Sequence, residues 1–367
     1  MNILEFINKF FDTLSFVCQM NICRNKKGMI FLLFFCLLYS SQQTQSQEFF
    51  LENVRQFSII HASDTIQFIK INADTLSQKP TILYCQGSLP IPLIGIGKHG
   101  AFLTPINNFD YQTIAEGYNI IIISMPHTPI VADSNHVNSR FAYLPDPSKP
   151  YQYDIRYLED NHLGKYVERG NTVLQFLREQ TWVDKHRIIL LGHSQGSHVA
   201  ANLAEQNPDI WALGYFSGNV LGRLSQLIFQ ERDSAKTGKL SKEEAQDNIE
   251  RHYQWWQNLC RGTLTEEQTG DPAHTWKSFS GSNIERLVAL RMPVYVAYGT
   301  EDSGAQQCDI LPIFFELAGK TNYQLRPFVG CGHNFEEITL AGESNWDKMY
   351  WDMAMKEFIT WCESIKQ

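Results

Sequence analysis

Short apolar runs alternate with helical stretches along most of this chain. From residue 81 onward six runs are almost continuously apolar, as is typical of strands buried on both faces of a sheet. These runs are Thr81–Cys85, Asn119–Ser124, Ile188–Gly192, Ala212–Ser217, Val294–Gly299 and Tyr323–Val329. Both faces of such a sheet must be covered, so the pattern predicts an α/β fold class: a mostly parallel central sheet with helices on both faces.

Elements on either side of these runs complete the predicted domain. Residues 57–62 and 65–72 favour an antiparallel pair, with Ser63 and Asp64 as a tight turn between them. Residues 163–177 place their apolar side chains at helical spacing, which predicts a helix with one face on the sheet. A looser helical pattern covers residues 346–365. We therefore expect a single α/β domain over residues 47–367.

Two long segments interrupt the alternation of strands and helices. Residues 219–291 show no strand pattern but contain a helix that begins with a capping box, Ser241 with Glu244. We predict that this segment is a helical cap inserted into the domain. Residues 126–162 form a second long loop, and long structured insertions are often functional. Solvated decoration without a role in any site is the alternative for both segments.

Composition and charge exclude some classes of function. The chain has 367 residues, a hydrophobic content of 43% and a formal net charge of −8, which together permit a substantial core. Its body contains no basic run, so we do not expect nucleic acid as a partner. The 11 histidines are scattered, without HxH or HExxH, and no CxxC spacing occurs. The sequence therefore does not support a metal site.

The N-terminal region, residues 1–46, has the pattern of an export signal or a membrane anchor. Basic residues precede an apolar run at residues 29–39, and small and polar residues follow it. The run is too short to span a bilayer but fits the core of a secretory signal. We expect a periplasmic or secreted protein with no stable membrane span after the signal is removed, and an uncleaved anchor is the alternative. Translation from Met20 would shorten the segment that precedes the apolar run of the signal.

The cysteines beyond this region leave two redox states open. They are Cys85, Cys260, Cys308, Cys331 and Cys362. Export would permit disulfide bonds, and Cys308 and Cys331 each follow a predicted strand end and could be neighbours. The alternative is that all of these cysteines are reduced, buried thiols.

The most specific chemical signal is Gly192-His193-Ser194-Gln195-Gly196, between a predicted strand and a predicted helix. A serine in such a tight turn has strained backbone angles, and glycine two residues to either side avoids a collision of Cβ atoms. The turn would present the Ser194 hydroxyl beside the amide donors of a helix N-terminus, which suits a nucleophile. We expect His193 and His198, which flank the serine in sequence, to serve as packing or pocket-wall residues.

Two later strand ends supply the partners that a serine nucleophile needs. Such a serine requires a base to take its proton, and the base requires an acid to orient it. Asp302 follows a strand in the sequence GTED, and His333 follows the last strand in GCGH. Open α/β sheets place their sites at the carboxyl ends of strands, where both residues would meet Ser194. Glu301 and Asp309 are the alternative acids.

The order strand–GHSQG–helix, strand–GTED, strand–GCGH resembles the α/β-hydrolase superfamily. The resemblance implies that Ser194 is the nucleophile, that His333 is the general base and then acid, and that Asp302 is the orienting carboxylate. It also implies an oxyanion hole made by the backbone N–H groups of Gln195 and of Ser88, in the loop after the third strand. This chemistry requires no cofactor.

The resemblance extends over residues 56–366 apart from the insertions, and it implies a serine hydrolase without choosing the substrate. We expect first a small-molecule or acyl substrate with a carboxylic ester, because cleavage of an ester places the smallest demand on the leaving group. A thioesterase and a peptidase resembling the prolyl oligopeptidase group are alternatives, although no propeller repeat precedes the fold. A catalytically silent binding protein is the non-enzyme alternative. Aromatic residues of the cap predict an aromatic-lined pocket or else packing of the cap: Tyr253, Trp255, Trp256, Trp276 and Phe279.

Overall fold

A computed structural model describes residues 51, 53–72, 74–150, 152–264 and 270–365 of this chain. The predicted export signal or anchor at residues 1–46 and the alternative start at Met20 lie outside the described residues, so export stays a prediction. Among the described residues, no helix combines the length and the apolar character needed to cross a membrane.

The strands, numbered in chain order, are β1 (Val54–His61), β2 (Asp64–Ile71), β3 (Lys79–Cys85), β4 (Ile94–Gly97), β5 (Gly100–Leu103), β6 (Asn119–Ile123), β7 (Val131–Asp133), β8 (Val183–His193), β9 (Ala212–Phe216), β10 (Val294–Gly299), β11 (Tyr323–Phe328), β12 (Glu336–Ile338) and β13 (Ser344–Met349). The α-helices are α1 (Tyr111–Gly117), α2 (Ile155–Asp160), α3 (Leu163–Glu179), α4 (Gln195–Gln206), α5 (Arg223–Lys236), α6 (Lys242–Arg261), α7 (Ala273–Phe279), α8 (Ile284–Ala289), α9 (Ala305–Asp309), α10 (Leu311–Leu317) and α11 (Trp351–Ser364).

An eight-stranded sheet with the order β1-β2-β6-β3-β8-β9-β10-β11 forms the centre of the domain. Strand β2 is antiparallel to β1 and β6, and every neighbouring pair from β6 to β11 is parallel. The six strands predicted from the apolar runs and the opening antiparallel pair are all present. The mostly parallel sheet of the predicted fold class is thereby confirmed.

The strand order reverses direction between β3 and β8. The chain leaves β3 toward β6 on one side, crosses back over β3 to reach β8, and then continues through β9, β10 and β11 on the other side. Loops at the carboxyl ends of β3 and β8 therefore diverge and leave a crevice between them. Open α/β sheets bind their ligands at such a position.

Side chains of β8 show why helices cover both faces of the sheet. Ile188 and Leu190 belong to one buried core, which α3 and α4 cover, whereas Ile189 and Leu191 belong to a second core, which α1 and α11 cover. Successive residues of a strand point to opposite faces, so a continuous apolar run supplies both cores at once. The predicted helix over residues 163–177 is α3, and its buried stripe faces the sheet as expected.

The helix predicted over residues 346–365 is wrong at its start. Residues Ser344–Met349 form β13, which pairs with β12, and α11 begins only at Trp351. Trp346 is 60% exposed, so its apolar character does not mark a buried helical face. In this segment the pairing of β13 with β12, the next strand after β11, overrides the local helical pattern.

Two smaller differences concern short elements near the start of the domain. The turn of the first hairpin is Ala62 and Ser63, because Asp64 already pairs with His61. A small three-stranded sheet of β5, β4 and β7 has no counterpart among the predicted elements. Strands of three or four residues offer too few positions for a period to stand out.

Both long insertions are structured. Residues 219–264 and 270–291 contain helices α5 to α8 and, within these described ranges, no strand. Helix α6 begins with the predicted capping box, in which the Ser241 side chain accepts from the Glu244 N–H and the Glu244 carboxylate accepts from the Ser241 N–H. The loop at residues 126–162 contains β7 and α2.

Cys308 and Cys331 are free thiols in this structure, as are the three other described cysteines. Cys308 lies in the core on one face of the sheet and Cys331 in the core on the other, so the sheet separates them. The structure therefore agrees with the alternative of reduced, buried thiols, except that Cys260 is exposed.

Candidate active site

Ser194 lies in the turn between β8 and α4. Its backbone angles are φ 56° and ψ −125°, in a region that residues with a side chain seldom adopt. The Ser194 N–H donates to the carbonyl oxygen of Phe216 at 2.9 Å, so the strained turn is tied to the end of β9. The neighbouring strand thus holds Ser194 in the sharp turn at the end of the sheet.

Close backbone contacts explain the two glycines of this turn. A Cβ atom at Gly192 would lie 2.2 Å from the carbonyl oxygen of Gly196, and one at Gly196 would lie 1.9 Å from the carbonyl oxygen of Cys85. Neither carbonyl belongs to a flexible side chain that could move aside. The interpretation that these glycines make room for the serine turn is therefore confirmed.

We expect Gly196→Ala to destabilise the folded chain by at least about 3 kcal/mol, because the new methyl group would overlap the backbone at Cys85. Urea unfolding of the purified variant, followed by circular dichroism, measures the change. Gly281→Ala is the matched control, since a Cβ atom there meets no heavy atom within 4 Å. An unfolding midpoint of Gly196→Ala equal to that of the control would contradict the prediction.

His333 connects Ser194 to Asp302 by two hydrogen bonds. The Ser194 hydroxyl donates to His333 Nε2 at 2.9 Å, and His333 Nδ1–H donates to Asp302 Oδ2, also at 2.9 Å. The three side chains follow β8, β10 and β11, at the carboxyl ends of these parallel strands. In sequence, Ser194 is 139 residues and Asp302 is 31 residues from His333. The structure therefore brings together the three residues that the sequence predicts as nucleophile, acid and base.

The alternative acids lie elsewhere. Glu301 is exposed, and its carboxylate is 3.5 Å from the hydroxyl of Thr300. Asp309 accepts from the Tyr298 hydroxyl at 2.5 Å. Neither carboxylate has a hydrogen bond to His333 among the described residues, so Asp302 is the carboxylate that orients the ring.

Asp302 is buried, and its neighbours favour the ionised form. Its Oδ1 accepts from the Gly304 N–H at 3.1 Å and from the Ser303 hydroxyl at 3.4 Å. Burial by itself raises the pKa of Asp302, but the hydrogen bond and charge of His333 outweigh it, and the pKa lies below its ordinary value. A carboxylate that stays charged fixes the Nδ1 proton of His333 in place.

The pKa of His333 is shifted in the opposite direction. Burial by itself lowers the pKa of His333, but the hydrogen bond and charge of Asp302, assisted by the charge of Glu336, raise it above the ordinary value of 6.5. The ring is therefore a stronger base than an isolated imidazole. A base with a raised pKa takes up a hydroxyl proton more readily.

The two other histidines of the region are buried and neutral. His193 Nε2 lies 3.1 Å from the carbonyl oxygen of His333, and its ring centroid is 4.9 Å from that of Trp351. Burial first, and the charge of His333 second, lower the pKa of His193 to about 3. Burial also lowers the pKa of His198 to about 4, and its ring lies in the cavity wall. The predicted packing and pocket-wall roles describe both residues.

A chain of hydrogen bonds connects the cap to the residue beside Asp302. Gln226 of α5 accepts from the Asn219 side chain at 2.8 Å and donates to the Ser303 hydroxyl at 2.5 Å. Ser303 in turn lies against Asp302. Nothing in the sequence pattern indicated this connection, because it joins residues that are far apart in the chain.

The two predicted oxyanion residues lie at the same cavity as Ser194 and His333. Gln195 is the first residue of α4, so its N–H has no acceptor within the helix. The loop that carries Ser88 lies against the serine turn, since a Cβ atom at Gly87 would stand 3.6 Å from Ser194 Cβ. The loop after β3 and the start of α4 therefore both lie beside Ser194 at the reversal of strand order.

The cavity has a volume of about 400 Å³, within the range of small-molecule sites. Both insertions contribute to its walls, so neither is a solvated decoration. Residues 126–162 supply Arg140, Tyr153, Tyr157 and Asn161, and the cap supplies Asn219, Arg223, Gln226, Gly270, Asp271, Trp276 and Phe279. Of the cap aromatics named from the sequence, Trp276 and Phe279 line the cavity, and Tyr253, Trp255 and Trp256 are not among its lining residues.

The chain has the α/β-hydrolase fold, as its topology and comparison with solved structures show. A putative dipeptidyl aminopeptidase IV from Bacteroides ovatus is similar over 84% of this chain and 35% of its own, with a TM-score of 0.51 and 12% identity. The acylaminoacyl peptidase of Pyrococcus horikoshii is similar over 90% of this chain and 44% of its own, with a TM-score of 0.51 and 15% identity. This chain thus spans less than half the length of either protein, and at such identity the likeness concerns the fold alone. No family model and no curated protein sequence matches the chain.

Proposed function

We propose that this chain is a serine hydrolase that cleaves a carboxylic ester, or a related acyl bond, through an acyl-enzyme on Ser194. One observation carries the proposal: Ser194, which is hydrogen-bonded through His333 to Asp302, lines a cavity large enough for a small molecule. A strained serine held against an oriented base has a clear chemical use as a nucleophile.

The geometry supports the following sequence of steps. His333 Nε2 takes the proton of the Ser194 hydroxyl as Oγ attacks the substrate carbonyl carbon. The backbone N–H groups of Gln195 and Ser88 stabilise the oxyanion of the tetrahedral intermediate. His333 then gives the proton to the leaving oxygen, and the acyl–oxygen bond breaks. Water repeats the two steps on the acyl-enzyme, and Asp302 stabilises the charged imidazolium each time.

Labelling with a fluorophosphonate tests the proposal directly. We expect the purified protein to be labelled at Ser194, identified by peptide mass mapping, and to hydrolyse activated esters. Parallel assays with matched thioester and peptide substrates separate the ester from the thioesterase and peptidase alternatives. If a folded protein neither takes the label nor cleaves any of these substrates, the proposal is wrong and the binding-protein alternative replaces it.

The acid limb of the pH profile should report His333. Protonated His333 cannot accept the Ser194 proton, so kcat/KM falls about tenfold per pH unit below the His333 pKa. Because that pKa is raised above 6.5, we expect the midpoint of the limb above pH 6.5. His193 and His198, with pKa values of about 3 and about 4, remain neutral there and do not contribute. Steady-state assays from about pH 5 to pH 9 measure the limb, and a midpoint below the ordinary histidine value contradicts the assignment.

A further inference from the structure

The cavity beside Ser194 contains a positive charge that no described carboxylate neutralises. Two arginines line the cavity. Arg223 Nη1 lies 2.7 Å from Asp271 Oδ2, and its guanidinium carbon stands 3.7 Å from the ring centroid of Trp276. Asp271 is the one carboxylate among the described lining residues, and its charge is already paired with that of Arg223. Arg140 forms no ion pair within the described part of the chain.

The backbone that carries Arg140 is held in place. The side chain of Asn138 accepts from the N–H groups of Arg140 and Ala142, at 2.9 and 3.1 Å. The ring of Phe141 packs edge-on against Phe102, with centroids 6.1 Å apart. The loop backbone is thus fixed where Arg140 lines the cavity, and the Arg140 side chain itself is exposed.

A second polar group of the cavity also lacks a partner. Ser217 follows β9 and is only 3% exposed, yet its hydroxyl has no hydrogen-bond partner among the described residues. A buried hydroxyl without a partner is costly, and native structures seldom contain one without a reason. Because Ser217 lines the cavity, a polar atom of a bound substrate is a suitable partner.

We propose that the substrate of this site is an ester whose acyl chain ends in a carboxylate, and that Arg140 binds this carboxylate. The proposal rests on the hydrolase function proposed above and adds the substrate class. A guanidinium offers a planar pair of donors that matches a carboxylate, whereas a purely aliphatic acyl chain offers no polar partner to either Arg140 or Ser217. The reaction consumes one ester and one water and releases a dicarboxylic acid and an alcohol. The water supplies the new acyl–oxygen bond and the proton of the alcohol.

Two substrates that differ in one charge test the proposal. They are the mono-4-nitrophenyl ester of adipic acid and the same ester with its free acid replaced by a primary amide. We expect the purified protein to show a kcat/KM at least about tenfold higher on the acid, as a charge-assisted hydrogen bond predicts. In Arg140→Gln, the ratio of kcat/KM on the acid to kcat/KM on the amide should fall to about one, mainly through loss of kcat/KM on the acid.

The control variant is Arg55→Gln, which removes an exposed positive charge from the edge strand β1, outside the cavity. It should keep the preference for the acid. A wild-type preference near one, a preference that survives in Arg140→Gln, or one that Arg55→Gln also abolishes would overturn the inference. If Ser194 still takes the fluorophosphonate label in that case, the hydrolase function stands and only the substrate class is wrong. If neither ester is cleaved and no label is taken, both proposals are wrong.

Discussion

Replacing Ser194 with alanine should reduce ester hydrolysis at least about 10,000-fold and abolish fluorophosphonate labelling. Without Oγ no acyl-enzyme forms. His333 Nε2 also loses the hydroxyl that lies 2.9 Å away and whose proton it takes. A residual acceleration over the uncatalysed reaction, about 1,000-fold in comparable sites, should remain from the oxyanion donors and the cavity. We therefore expect a weak but measurable rate with activated esters.

Stopped-flow and steady-state assays of Ser194→Ala with a 4-nitrophenyl ester measure this loss. Ser225→Ala is the matched control, because the Ser225 hydroxyl bonds to the Leu221 carbonyl within the cap and does not line the cavity. Circular dichroism and thermal melting show whether both variants are folded. A folded Ser194→Ala variant that keeps more than about 1% of the wild-type kcat/KM would rule out the acyl-enzyme mechanism.

Asp302→Asn should lower kcat about 1,000- to 10,000-fold while leaving the fold intact. The amide that replaces the carboxylate can donate to His333 Nδ1, which favours the tautomer with its proton on Nε2. That tautomer cannot accept the Ser194 proton. Loss of the carboxylate also removes the hydrogen bond and charge that raise the pKa of His333, so the remaining activity should have its acid limb at lower pH.

Asp309→Asn is the matched control for this variant. Asp309 is bonded to Tyr298 and has no contact with His333, so we expect its kcat to stay within about threefold of the wild type. The comparison uses kcat and the full pH profile of each protein. An unshifted acid limb in Asp302→Asn, or a larger loss in Asp309→Asn, would show that Asp302 is not the orienting acid.

The sequence predicts the serine turn because its constraints are local. Gly192 and Gly196 are required by atoms within the turn and in the strand beside it, so the pattern itself carries the geometry. The apolar runs predict the sheet for a similar reason, since burial on both faces leaves few polar positions in a strand. These rules act over a few residues and can be recognised without coordinates.

Contacts between residues that are far apart in sequence cannot be predicted in this way. The sequence offers Glu301, Asp302 and Asp309 as acids, and only the approach of β10 to β11 shows which carboxylate lies 2.9 Å from His333. Residues 346–349 likewise belong to a stretch whose local pattern favours a helix, yet they form the end of β13, which pairs with β12. Tertiary contacts outweigh local preference in such segments, because each strand is stabilised by its partner.

Sequence alone therefore determined the class of fold, the nucleophile turn and the strand ends from which a base and an acid are drawn. Only the tertiary structure decided which acid orients the base, that Cys308 and Cys331 lie on opposite faces of the sheet, and that both insertions line the cavity. It alone placed Arg140 and Ser217 at that cavity. The physical reason is that a turn or a buried strand is specified by neighbours in sequence, whereas a cavity is specified by segments that meet only when the chain is folded.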